Sequence, residues 1–116
     1  MVFNMNVFSQ LAIKQYEKVE NSEYLLHEVM SIFCRYFEKF EQYRRIVHPN
    51  IRSEQIFSII ERMPYLDVER ETYIVPGDYC AIIDKHFQTE YSKCDYNINH
   101  FFSGNIRLLR YYEVFL

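Results

Sequence analysis

Residues 25–47 read LLHEVMSIFCRYFEKFEQYRRIV. Leu25, Val29, Ile32, Tyr36, Phe40, Tyr43 and Val47 recur at steps of 4, 3, 4, 4, 3 and 4. That period returns each side chain to one face of an α-helix. A second row, Leu26, Met30, Phe33 and Phe37, lies beside the first. Together they make an apolar face wide enough to touch two neighbouring helices. Glu41 and Arg45 stand four apart, an exposed pairing that adds on the order of 0.3 kcal/mol. His48-Pro49 is expected to end the helix, because the residue before proline is pushed out of the α region. Upstream, Asn21-Ser22 offers a break and an N-cap, with Glu23 favourable in the first turn.

A long helix with so broad an apolar face must be covered, and the flanking sequence supplies the cover. Phe3, Val7, Phe8, Leu11, Ile13, Tyr16 and Val19 predict a first helix over 3–20. Ser53 reads as the cap of a shorter helix that buries Ile56, Phe57, Ile59, Ile60 and Met63 and stops at Pro64. Thr72-Tyr73-Ile74-Val75 has strand composition, and a lone strand would need a partner. Pro76-Gly77-Asp78 opens another helix, with Tyr79, Ile82, Ile83, His86 and Phe87 on one side. Asp95 can cap a short helix carrying Ile98, Phe101 and Phe102. Ser103-Gly104 stops it, Gly104 being suited to a left-handed position. Asn105 can then cap a last helix through Ile106, Leu109, Tyr112 and Val114. The expectation is a mainly α fold: one domain over 1–116, a compact bundle of about five helices with one short β-strand or hairpin near residues 71–76.

Composition narrows the function classes. The 116 residues are 49% hydrophobic and 25% charged, which is globular. No run of about 18 apolar residues suggests a membrane span. The start of the chain lacks a basic segment followed by an apolar block, so no export signal is expected. Cys34, Cys80 and Cys94 are odd in number and widely spaced, which reads as reduced thiols in the cytoplasm. Ala, Gly and Pro make up only seven residues, while Tyr and Phe make up 21. This bias towards AT-rich codons suggests a low-GC bacterium, or its phages and plasmids. So many rings should leave some partly exposed, and clustered exposed aromatics are interface material.

Net charge is −3. A nucleic-acid binder is expected to show a basic face. The acid is concentrated: residues 61–95 carry eight acidic and four basic groups, Asp67, Glu69 and Glu71 among them. Such a stretch reads as solubilising charge, or as a negative surface that docks on a basic groove.

No sequence motif for chemistry emerges. With only Gly77 and Gly104 available, phosphate-cradling glycine loops are excluded. Cys80 precedes His86, and Cys94 precedes His100, by six residues in each case. Six residues turn a helix by about 120°, so each pair diverges, and zinc ligands are normally closer. The expectation is buried or half-buried thiols with histidines at the surface, and no metal. Cys34 lies inside the long helix with no base or oxyanion site suggested nearby. Carboxylate pairs such as Glu69 with Glu71 and Asp78 with Asp84 read as solvated charge rather than as acid–base machinery. No enzyme activity and no cofactor are expected.

Two binding readings remain. In the first, the chain is a non-enzymatic regulator or inhibitor of a larger protein. Its contacts would be Arg107, Arg110, Tyr111 and Tyr112 of the apolar C-terminal segment, or the acidic Asp67, Glu69 and Glu71. A homodimer through the C-terminal helix belongs with this reading. Size and composition make the chain look like the small accessory proteins of phages and mobile elements. Inhibition of a host nucleic-acid-binding enzyme, in the manner of anti-CRISPR proteins, fits the acidity. In the second, the C-terminal helix pair is a helix-turn-helix of a DNA-binding regulator or replication accessory protein. Asn105, Arg107 and Arg110 would then face a groove, with Arg44, Arg45 and Arg52 touching phosphates.

Overall fold

The computed structural model describes residues 5–67, 72–91 and 93–116. Among them six α-helices are formed: α1 (Met5–Lys18), α2 (Leu26–Arg44), α3 (Ser53–Arg62), α4 (Tyr79–Gln88), α5 (Ile98–Phe102) and α6 (Ile106–Phe115). A two-stranded antiparallel sheet, β1 (Tyr65–Asp67) and β2 (Thr72–Tyr73), sits between α3 and α4. The strand composition of 72–75 is therefore realised only at Thr72–Tyr73. Its partner is Tyr65–Asp67, a three-residue strand too short to carry a period of its own. Tyr65 pairs with Tyr73 and Asp67 with Thr72 across a local irregularity, and Ile74 N–H donates to Pro64 O at 3.0 Å. Phe3, at the start of the expected first helix, lies outside the described residues.

The long helix forms as its periodicity requires, with Val29, Ile32, Phe33, Tyr36, Phe37 and Phe40 buried. It ends earlier than expected. Arg45 adopts the left-handed region (φ 61°), and its N–H donates to Glu41 O, so the helix stops before Pro49 acts on it. The start also differs: Leu25 N–H donates to Glu28 Oε1 at 2.8 Å, while Ser22 Oγ donates to Tyr24 O in the preceding turn. Asn97, not Asp95, caps α5, its Oδ1 accepting from His100 N–H at 3.1 Å. Asp95 instead accepts from Asn97 N–H.

α1 packs on α3 and α2, α4 on α2 and α6, and α5 on α3 and α6. Phe8 reaches from α1 to Phe33 and Phe37, both at 5.0 Å between ring centres in edge-on geometry. Val7 and Ile13 turn outward, because Phe8, Ala12 and Gln15 set the buried line of α1. Each large ring taken from water contributes about 1.5–3 kcal/mol.

Tyrosine hydroxyls then tie the loops to the core. Tyr36 Oη donates to Tyr96 O at 2.6 Å, Tyr79 Oη to Met63 O at 2.6 Å, and Tyr24 Oη to Ile74 O. The bonds satisfy carbonyls outside regular structure and let a polar ring sit in an apolar interior. His48 is buried as well. Its Nε2 accepts from Ile98 N–H at 3.0 Å, and Nδ1–H donates to Pro49 O at 2.7 Å. These two partners select the neutral ring, which lies 4.5 Å from Phe40.

Candidate protein-docking face on the last helix

α6 begins after Gly104, whose φ of +53° is the left-handed turn that glycine tolerates. Its inner face carries two arginines. Arg107 and Arg110 are 3% and 4% exposed, which corrects the expectation that they face a nucleic-acid groove or a partner. Arg107 Nη1 donates to Arg62 O at 3.1 Å and to Tyr79 Oη at 2.7 Å, and its guanidinium lies 4.9 Å from the centre of Phe102. Arg110 Nη1 donates to Thr89 Oγ1 at 2.9 Å, Nη2 pairs with Glu113 at 2.9 Å, and the group stacks 5.1 Å over Tyr91. The physical reason is reach. The long stems cross apolar contacts and deliver their charge to oxygens that the helices and loop leave unsatisfied.

The outer side of α6 holds the opposite chemistry. Leu109, Tyr112 and Leu116, spaced three and four apart, are 48%, 47% and 87% exposed. Phe115 is 42% exposed beside them, its ring 4.8 Å from Tyr111. Of the residues assigned to partner contact from sequence, Tyr112 is therefore exposed, Tyr111 is half-buried, and both arginines are internal. Asp67 is half-buried at the end of β1. Glu69 and Glu71 lie outside the described residues.

The residues of the nucleic-acid reading are not brought together on one basic face. Asn105 is exposed at the start of α6, Arg44 and Arg45 are exposed at the end of α2, and Arg107 and Arg110 are turned inward. Arg44 also reaches Cys94 O, at 3.4 Å.

No known protein family, curated protein or solved structure matches this chain.

Cys80 and His86 diverge around α4 as their spacing implies, whereas Cys94 lies in the connection before α5 and shares no helix with His100. Cys80 is exposed while His86, on the same helix, is 0% exposed. Cys94 is half-buried, its Sγ accepting from Tyr96 N–H at 3.2 Å. Among the described residues no group of three or more His, Cys, Asp or Glu side chains could hold a metal ion. A surface groove of about 300 Å³ runs between α2 and the turn before α4, past His27, Ser31, Arg35 and Cys80. Its strongest charge is committed, since Arg35 Nη2 donates to both carboxylate oxygens of Asp84 at 3.0 and 2.9 Å.

The expectation that the histidines of these pairs lie at the surface is overturned for His86, and His100 is half-buried. The signal for His86 was its place in the apolar row of α4, beside Ile82, Ile83 and Phe87. Neither of its ring nitrogens meets a hydrogen-bond partner among the described residues, an omission that costs about 1–3 kcal/mol per group. Burial, then the nearby His100 and Arg110, hold its pKa down to about 3. The ring is enclosed by other rings, including Phe101 at 4.9 Å, Tyr96 at 5.3 Å and Tyr91 at 5.6 Å.

Proposed function

We propose that this chain is a non-enzymatic protein-binding regulator that docks on a larger protein through the outer face of α6. One observation carries the reading. α6 is held to its own domain by Arg107 and Arg110, yet it keeps a second, outward stripe of Leu109, Tyr112 and Leu116 that is left exposed among the described residues. A core helix needs one apolar face, and exposing a second is a standing cost in water unless something binds there. The stripe carries no free charge at its centre, because Glu113 beside it is paired with Arg110. That suits the dry core of an interface, where charged residues are depleted and tyrosine is favoured.

The acidic excess of residues 61–95 supports a target with a basic surface, such as an enzyme that handles nucleic acid, which the chain would inhibit. The free thiols fit a reducing, cytoplasmic setting. No helix among the described residues is long and apolar enough to cross a membrane.

The test uses tagged wild type and the double variant Leu109→Glu/Tyr112→Glu, matched by circular dichroism and melting temperature. Both are used to capture proteins from cells of the source organism. The wild type should enrich one protein at least tenfold over the variant. Equal recovery of that protein by both would overturn the proposal. So would capture of no protein, together with binding to duplex DNA that weakens steeply with salt.

A further inference from the structure

Seven sequestered side-chain nitrogen or oxygen atoms lack a hydrogen-bond partner among the described residues, and five belong to one place: both ring nitrogens of His86, Nε2 of His100, Oη of Tyr91 and Nε of Arg110. The place is the junction of α4, α5, α6 and the 89–97 connection. His86 and His100 lie 6.0 Å apart by ring centre, His100 and Tyr91 6.0 Å, and Arg110 stacks on Tyr91. Each of these buried polar atoms therefore faces rings rather than a hydrogen-bond partner among the described residues, and the fully buried group here that can change its charge near neutral pH is the imidazole of His86.

A proton on that ring would be poorly received. The titratable and charged groups packed around His86 are Tyr36 of α2, Tyr91 and Tyr96 of the connection, His100 of α5 and Arg110 of α6. Arg110 is already a cation, and the carboxylate that balances it, Glu113, is bonded to it in an ion pair. An imidazolium at His86 would add a second buried positive charge with no acceptor for either N–H, beside the guanidinium that holds the C-terminal half of α6. The connection is also strained where it wraps this junction, with Lys93 and Tyr96 at φ 62° and 60°.

We propose that proton uptake by His86 releases residues 89–91 and 93–97 and the C-terminal half of α6 from α4, so that the docking face is displayed at neutral pH and withdrawn in acid. The inference rests on the docking role of α6 given above, and it concerns the regulation of that site. The geometry sets its direction. The ordinary imidazole value of 6.5 against about 3 in the closed state sets its size. Opening becomes about 4-fold more populated at pH 6 and about 30-fold at pH 5 than at alkaline pH.

Amide hydrogen exchange on the full chain alone, corrected for intrinsic rates, tests it between pH 7.5 and pH 5. Residues 89–91, 93–97 and 108–116 should lose protection by the factors above through an opening that costs less than the one exposing residues 26–44, whose slower, global exchange also accelerates in acid as His48 and His86 take up protons. His86→Phe, which keeps a ring and cannot be protonated, should abolish the difference. Exchange of residues 89–91, 93–97 and 108–116 at the same opening free energy as residues 26–44 at every pH would overturn the proposal, as would the same regional loss in His86→Phe. If that variant does not fold, His86→Leu, which equally cannot be protonated, should abolish the difference in its place. An unchanged regional response in that variant would again overturn it. Because no partner is present, failure here leaves the docking reading standing. Failure of Leu109→Glu/Tyr112→Glu to lose a partner at pH 7.5 leaves the switch standing.

Discussion

Replacing Arg107 by methionine removes a buried guanidinium while keeping most of its stem. The group donates to Arg62 O at 3.1 Å and Tyr79 Oη at 2.7 Å, and lies 4.9 Å from the centre of Phe102. Hydrogen bonds from a charged donor are worth about 1.5–3 kcal/mol each, and a desolvated cation–ring contact about 2 kcal/mol. Against this gross gain stands the cost of several kcal/mol for holding a cation out of water. After substitution, Tyr79 still donates to Met63 O at 2.6 Å, so the principal orphan is the Arg62 carbonyl at the end of α3. Leaving it unsatisfied costs about 1–3 kcal/mol, which sets the expected net loss at about 2 kcal/mol. For 116 residues the unfolding entropy is about 0.24 kcal/mol/K, so the melting temperature should fall by about 8 °C. Urea titration followed by circular dichroism measures the loss directly. An arginine reaching towards a groove or partner would change stability by less than about 0.5 kcal/mol. A loss that small in Arg107→Met, with unchanged cooperativity, would refute the assignment of Arg107 to the interior.

Three further outcomes follow from the same contacts. Tyr36→Phe should cost about 1–3 kcal/mol by denaturant titration, because Tyr96 O loses its buried donor; the exposed Tyr112→Phe should cost less than about 0.5 kcal/mol. Burial holds the His48 imidazole below its ordinary value of 6.5, so its contribution is complete above about pH 6.5 and is lost as pH falls below it. His48→Phe should therefore be destabilised at pH 7.5 but show a shallower decline between pH 7 and pH 5 than wild type. Gly104→Ala should cost about 1 kcal/mol in thermal melts, since φ is +53° and the added methyl meets nothing within 4 Å.

Much of the architecture is readable in the chain because its periodic signals are local. The 4-3-4 spacing of residues 25–47 is a property of one helix, and burial of Val29, Ile32, Tyr36 and Phe40 follows from it. Pro64, Pro76 and Gly104 act on their own neighbours and set several boundaries in the same way. The end of α2 at Arg45 was less legible. Helix propensity changes little over Arg44, Arg45 and Ile46, so the left-handed residue is chosen by what the following loop must reach.

Sequence by itself determined that this protein is a helical bundle, with no glycine loop for phosphate and with an apolar last helix. Only the tertiary structure decided which side of that helix is free. By charge, Arg107 and Arg110 belong outside; they lie inside because Arg62 O, Tyr79 Oη and Thr89 Oγ1, 45, 28 and 21 residues away in the chain, converge on them. The same holds for His86, whose enclosure is made by rings from α2, α5 and the 89–97 connection. Local periodicity follows from the geometry of a single element. The fate of a polar side chain depends on the oxygens and charges that distant elements bring to it.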